Sequence, residues 1–376
     1  LNPKLFYAYY RRGAAYAEGR DFNRAIADYS EAIRLNAELC EGYHDRGRAY
    51  ARTGFLDKAI ADFTEAIRID AKYAEAYYER ADAWCRKDQS DKAIEDFTEA
   101  IRIDPKYALA YLGRGVAYDG KGEHDKAIAD FNHAIRLKPD FAEAHGSRGD
   151  AWRGKREYDK AIHDYDQAVQ FNPGNAGTYW KRGVAWGYKR EYDKAIADYN
   201  EAIRLDPTFA DAYFDRGFAY ASKGERDKAI EDYSEAIRLR PRFARAYYFR
   251  GLSWGMKGNY NKAIVDCTKA IEVDPRFAEA YGDRGRAYNQ VGEHDKAIAD
   301  FSELLRLKPD DGLSYYTYYS RGLVWGRKGE NSKAIADFNE SLRRNPTFAP
   351  AYLNRGVVFC SAGDQDKAVA DMTEAI

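Results

Sequence analysis

The dipeptide Arg-Gly returns along the chain at a fixed interval, from Arg12-Gly13 and Arg46-Gly47 through to Arg355-Gly356, with Arg80-Ala81 in the one gap. The step is 34 residues, except from Arg284 to Arg321, where it is 37. A second marker of the type Asp-Lys-Ala-Ile-Ala-Asp follows the pair, as at residues 57–62 and 193–198. A copy of this size cannot bury an apolar face by itself. It does so by stacking on its neighbours, so a chain of 376 residues grows as an array rather than as two or three separate cores.

Residues 74–107 show what one copy contains. Tyr77, Ala81 and Trp84 recur three to four positions apart, and so do Ala93, Ile94, Phe97, Ala100 and Ile101. Both are helical stripes rather than strand alternation. Between the stripes lies one slot held by Gly54, Gly122, Gly224, Gly258, Gly292, Gly329 and Gly363, suited to a left-handed residue that closes a helix. The second stripe ends at Asp-Pro or its equivalent, as at Asp104-Pro105 and Asp206-Pro207, which turns the preceding residue away from helix. A glycine inside a helix costs about 0.5–1 kcal/mol relative to alanine. Its recurrence after the arginine therefore marks a close helix–helix approach, with Ala81 setting the size limit. The Ala93 slot is alanine in every copy. The aromatic slot of Trp84, filled elsewhere by Tyr, Trp or Phe359, is expected to fill the space opposite.

The order Tyr77, Ala81, Trp84, Ala93, Phe97, Ala100, Pro105 resembles the tetratricopeptide repeat (TPR). The resemblance covers essentially the whole chain. It departs at Arg80 and its equivalents, where the family usually has leucine. It implies an all-α fold of tandem helix-turn-helix units forming a right-handed superhelical solenoid, the first helix of each unit lining the concave face. The expected organisation is residues 1–5 as the tail of a preceding repeat, then eleven repeats over 6–376, the last truncated, with three residues inserted within 309–320. Leu304 and Ser341, on either side of that joint, are the two non-alanines in the Ala100 slot. The ends imply a piece of a longer array. Val369, Met372 and Ile376 are then expected to leave apolar surface exposed on the last helix, and end-to-end self-association is open to such ends.

Lys and Arg number 60 against 61 Asp and Glu, a balance that gives no general pull toward nucleic acid or an anionic membrane. No apolar run approaches the roughly 18–20 residues that span a bilayer. Cys40, Cys85, Cys267 and Cys360 are far apart with no CxxC spacing. They read as free thiols, which with no signal peptide at the start favours the cytoplasm. Six histidines show no paired-ligand spacing, and His145 takes the Tyr77 slot as a core substitute. Cys267 takes the Phe97 slot as buried filler. No nucleophile–base pair or phosphate loop stands out from the repeat. The expectation is no catalytic residue, no cofactor and no metal.

Two patterns point to interactions. Arg80 and Asp96 hold the same identity in all eleven copies, and an Arg–Asp pair within a hairpin or between neighbours is expected to set register. Trp180 stands outside the Trp84 slot, one position beyond Tyr179. In the family's geometry that face looks into the groove. Trp180, Val184, Phe214, Phe218, Tyr248 and Leu252, with Tyr319 and Leu323 in the tenth copy, either pack across adjacent first helices or line a site for an apolar segment. Glu41, Asp45, Glu75, Glu79 and Asp82 make the early part of the same face acidic. The resemblance thus implies a non-catalytic scaffold or adaptor that takes a protein or peptide partner in its concave groove. The alternative is a targeting or substrate-binding array of a larger enzyme such as a TPR-containing sugar transferase. The asparagine ladder of those enzymes is absent, its slot reading Arg11, Asp45, Glu79, Gly113 and onward to Asn354. The chaperone-binding clamp is absent as well.

Overall fold

The computed structural model describes residues 5–309 and 311–376. Among them are twenty-two helices and no strand. They form eleven hairpins of a first helix (A) and a second helix (B); in repeat three these are Ala74–Cys85 and Ser90–Ile103. Residues 1–4 of the expected preceding tail lie outside the described residues, and Leu5 opens the first helix, Leu5–Glu18. Two compact units are distinguished, one ending at Lys189 and one beginning at Arg190. The first holds repeats one to five and the A helix of repeat six, Ala176–Tyr188; the second begins with that repeat's B helix, Tyr192–Leu205. Within each unit an A helix packs on its own B helix, each B helix packs on the next A helix, and consecutive A helices touch.

The slot between helices behaves as its glycines suggest. Gly54, Gly122, Gly224, Gly258, Gly292, Gly329 and Gly363 all have φ between 76° and 85°. Arg20, Asp88, Arg156 and Arg190 take the same left-handed conformation, with φ of 58–62°, at a cost glycine avoids.

The close approach is real, but the ring opposite the glycine is not the expected one. A Cβ on Gly47 would fall 2.7 Å from the ring of Phe63, and one on Gly149 would fall 2.7 Å from Tyr165. These rings belong to the Phe97 slot. Ala81, Ala93, Phe97 and Ala100 are buried, whereas Tyr77 and Trp84 are half-buried and pack against them from outside. Trp84 is covered by Lys92, whose Nζ sits 4.4 Å from the ring centroid, a cation–π contact repeated by Lys262 on Trp254 at 4.1 Å. Repeat three, where alanine replaces the glycine, shows a compensation. The Phe97 ring crowds Gly113 of the next repeat, where a Cβ would meet it at 2.5 Å.

Ten hairpins lie wholly within one unit, and in each the arginine donates two hydrogen bonds to the aspartate sixteen residues on. In repeat four Arg114 Nε and Nη2 reach Asp130 at 2.8 and 2.7 Å. The pair lies inside the hairpin, as one of the two expected arrangements has it. The third nitrogen turns the other way. Arg114 Nη1 donates to Thr98 Oγ1 on the preceding B helix at 3.0 Å, and Arg148 and Arg250 do the same to Asn132 and Ser234. At Ser30, Thr64, Thr98, Ser234 and Ser302 the acceptor's hydroxyl proton goes to the backbone one turn back, as from Thr98 to the Ile94 carbonyl, which leaves an oxygen lone pair for the guanidinium. The stacked ring of Tyr111 lies 5.8 Å from Arg114. One arginine thereby ties three helices.

The aspartates are buried, and burial of the carboxylate opposes its pairing. Burial pushes the carboxyls of Asp232 and Asp300 up despite Arg216 and Arg284. At Asp164 burial acts the same way, but Arg148 and His145 prevail and hold the carboxyl below its ordinary value. Such a pair fixes geometry more than it adds stability. His145 is buried as expected, its Nε2 2.9 Å from the Pro139 carbonyl.

The joint between repeats nine and ten runs from the B helix His294–Leu307 to the A helix Ser314–Arg327; Asp310 within it lies outside the described residues. Arg344 secures it. This arginine stands where the B helices of repeats one to nine end on an apolar residue, and it donates to the Pro309 carbonyl at 2.8 Å and to Ser314 Oγ at 3.0 Å.

Replacing Arg114 by Leu leaves Asp130 buried without its charge partner and is expected to destabilise by about 3–5 kcal/mol, most of which a further Asp130→Leu change restores. Denaturant melts of the single and double variants measure this. Arg156→Gly relieves a left-handed residue and is expected to raise stability by about 0.5–1 kcal/mol. An unchanged or lower melting temperature would contradict it.

Candidate partner-binding surface

Each A helix carries three further slots around the arginine: two positions before it, one before it, and two after it. The first is the slot of Trp180, and it proves to be mainly a joint between repeats. Its side chain meets the residue immediately before the next A helix. His44 packs on Tyr73 at 4.9 Å between centroids, Tyr78 on Tyr107 at 5.2 Å, Phe214 on Phe243 at 4.9 Å and Tyr248 on Phe277 at 4.8 Å. Phe214 is only 3% exposed, held also against Tyr233 and Phe249. It is therefore removed from the surface a partner can touch, because its ring fills the seam between repeats seven and eight.

The remaining expected residues divide between the units. Trp180 and Val184 are half-buried on Ala176–Tyr188 in the first unit. In the second, Phe218 is 43% exposed and sets its edge against Phe249, while Leu252 and Tyr248 are half-buried.

The acidic stretch is less uniform than the sequence implies. Glu41, Glu75 and Asp82 are exposed, but Arg48 enters the group, 3.3 Å from Glu79 and 3.9 Å from Asp45. Tyr10 donates its hydroxyl to Asp45 at 2.9 Å. Burial would push the Asp45 carboxyl up, yet hydrogen bonds from His44 and Tyr10 hold it below its ordinary value. Burial pushes Glu79 up.

Seven repeats later the same constellation returns. Tyr248 donates to Asp283 at 2.8 Å, and Arg286 pairs with Asp283. Each constellation borders a cleft on the A-helix side, of about 620 Å³ beside Asp45 and Arg48 and about 360 Å³ beside Asp283 and Arg286. The signal was present in the sequence: Tyr10/Asp45/Arg48 and Tyr248/Asp283/Arg286 share register, 238 residues apart. Taking the apolar and the acidic residues of this face as separate stretches leaves that correspondence unseen. The polar groups of both clefts offer hydrogen bonds and a neutralised charge pair. The Cys267 thiol below the second cleft is pushed up to about 12 by burial, so it stays protonated.

Models of the tetratricopeptide repeat match residues 6–39, 44–108, 108–141, 142–175, 210–243, 244–277, 267–299 and 319–376, and a further TPR model matches 189–224. The chain belongs to the tetratricopeptide-repeat family. No curated protein sequence matches this TPR chain. Among solved structures it is similar to the MamA protein, at 30% identity over 45% of this chain and 93% of that one, with a TM-score of 0.42. It is also similar to YrrB, described as a TPR protein with an unusual peptide-binding site, at 24% identity over 50% and 96% of the two chains, TM-score 0.43. A third is a tetratricopeptide repeat protein from Parabacteroides merdae, at 22% identity over 62% and 91%, TM-score 0.48.

The division between seam and surface in this TPR array is open to measurement. Phe214→Ala should cost about 3–5 kcal/mol as a core truncation. Phe218→Ala should stay within about 0.5 kcal/mol of the parent. Equal losses in chemical denaturation would contradict the assignment.

Proposed function

We propose that this TPR array is a non-catalytic scaffold or adaptor that holds protein or peptide segments on the faces formed by consecutive A helices. One observation carries the reading. The framework slots repeat with little change over eleven copies, while the A-helix slot two residues after the arginine varies in size and polarity along the array. It reads Ala14, Arg48, Asp82, Val116, Asp150 and Val184 in the first unit and Phe218, Leu252, Arg286, Leu323 and Val357 in the second. Val116, Phe218 and Val357 are exposed, at 49%, 43% and 49%. A slot that only maintained the fold would keep one size and polarity, as the glycine, alanine and aspartate slots do. A varied row of exposed apolar and charged groups on a rigid support suits recognition of a specific sequence in a partner.

The test compares the full chain with a Val116→Asp, Phe218→Asp variant, both folded by circular dichroism, as immobilised baits read by quantitative mass spectrometry. Partners enriched on the parent should fall at least about tenfold on the variant, the effect of losing roughly 1.4 kcal/mol. They should persist on a Glu95→Lys control, which alters an exposed residue of a B helix. Equal recovery on the A-helix variant would remove this face from the account.

A further inference from the structure

Repeat eight lacks a ring that its neighbours have. The Phe97 slot holds Phe or Tyr in nine repeats and Met372 in the last; repeat eight has Cys267. In repeats seven and nine the ring closes against the A-helix glycine, with a Cβ on Gly217 or Gly285 falling 3.0 Å from Tyr233 or Phe301. At Gly251 no ring is near; the closest atoms belong to Asp266, Ala263 and the Cys267 sulfur.

The place of that ring is connected to the surface. The cleft beside Asp283 reaches Gly251, Ala263 and Cys267, with Leu252 and Ala287 as walls. Ala263 is 4% exposed, whereas Ala229 and Ala297 in the same slot of the flanking repeats are fully buried. The corresponding cleft at repeat one shows what a ring does there. Tyr29 forms its wall, and neither Gly13 nor Ala25 is reached. The two clefts share a rim of Asp and Arg and differ in depth.

We infer that the cleft between repeats eight and nine receives an aromatic side chain of a partner, which takes the position left by the missing ring. In the flanking repeats the same place holds the planar ring of Tyr233 or Phe301 against the A-helix glycine; here it lies between the helix of Gly251 and the helix of Ala263. The rim carries one carboxylate and one guanidinium, so it suits a segment without net charge. Asp283 can accept from that segment's backbone N–H, and Arg286 can donate to its carbonyl. This deepens the scaffold reading and rests on it, yet its test needs no partner protein.

The chain's two methionines serve as reporters: Met256 borders the cleft, and Met372 lies on the last helix, Gln365–Glu374. Full-length protein with ¹³C-methyl methionine is titrated with p-cresol, and separately with cyclohexanol as a non-planar ring of similar size. The expected result is a saturable shift of the Met256 methyl with p-cresol, a weaker one with cyclohexanol, and no shift of Met372. Cys267→Phe, which restores the common residue of the slot, should abolish the Met256 response and raise the melting temperature. Cys267→Ala should keep the response. Absence of a saturable shift, a response undiminished in Cys267→Phe, or equal saturation by cyclohexanol would overturn the inference.

Discussion

The guanidinium of the recurring arginine is the contact on which the array depends. Two of its nitrogens engage the aspartate of its own B helix, and the third reaches a Ser, Thr, Asn or Asp on the B helix before it, as Arg182 does with Asp166. A leucine in this position could fill space but could not measure the distance to two helices at once. The planar fork can, because its donors have fixed directions. Desolvation of the buried pair offsets much of its attraction, so its main consequence is register rather than net stability. Around this fixed point the glycine lets the Phe97-type ring approach, and the half-buried aromatic of the Trp84 slot is sealed from outside by lysine.

Register in turn decides which side chains are available to a partner. Once each A helix is locked in rotation, the slot two residues before the arginine is turned into the seam between repeats, and the slot two residues after it is turned outward. Phe214 and Phe218 illustrate the result. They are four residues apart and alike in chemistry, yet one is in the core and the other on the surface. A surface whose register is fixed by the framework would need little ordering on binding a partner. Individual exposed ion pairs, such as the recurring contact of Lys121 with Asp91, add little to this.

Much of this was legible in the sequence because each repeat is a copy of the same experiment. The 34-residue step, the left-handed glycines and the Asp-Pro ends are local signals, and the invariance of Arg80 and Asp96 across copies identified their pairing. Three features depended on distances between helices and were not legible in the same way. The ring facing the glycine proved to be the Phe97 type, because both aromatic slots have the same helical period and only packing separates them. The burial of Phe214 depends on the ring of Phe243, twenty-nine residues away. The third partner of each arginine could have been found, since the residue two positions after each aspartate is always a short polar acceptor. Arg344 at the joint is a similar case, one charged residue at an otherwise apolar helix end.

The central claim, that one arginine couples its own hairpin to the preceding repeat, is tested most directly by hydrogen exchange on an Arg250→Lys variant. Lysine keeps the charge but cannot direct donors to both Asp266 and Ser234. The account predicts faster amide exchange in Tyr260–Val273 and also in Arg226–Leu239 of repeat seven, with repeats two and three unchanged. Faster exchange confined to repeat eight, or no change in either helix, would contradict it.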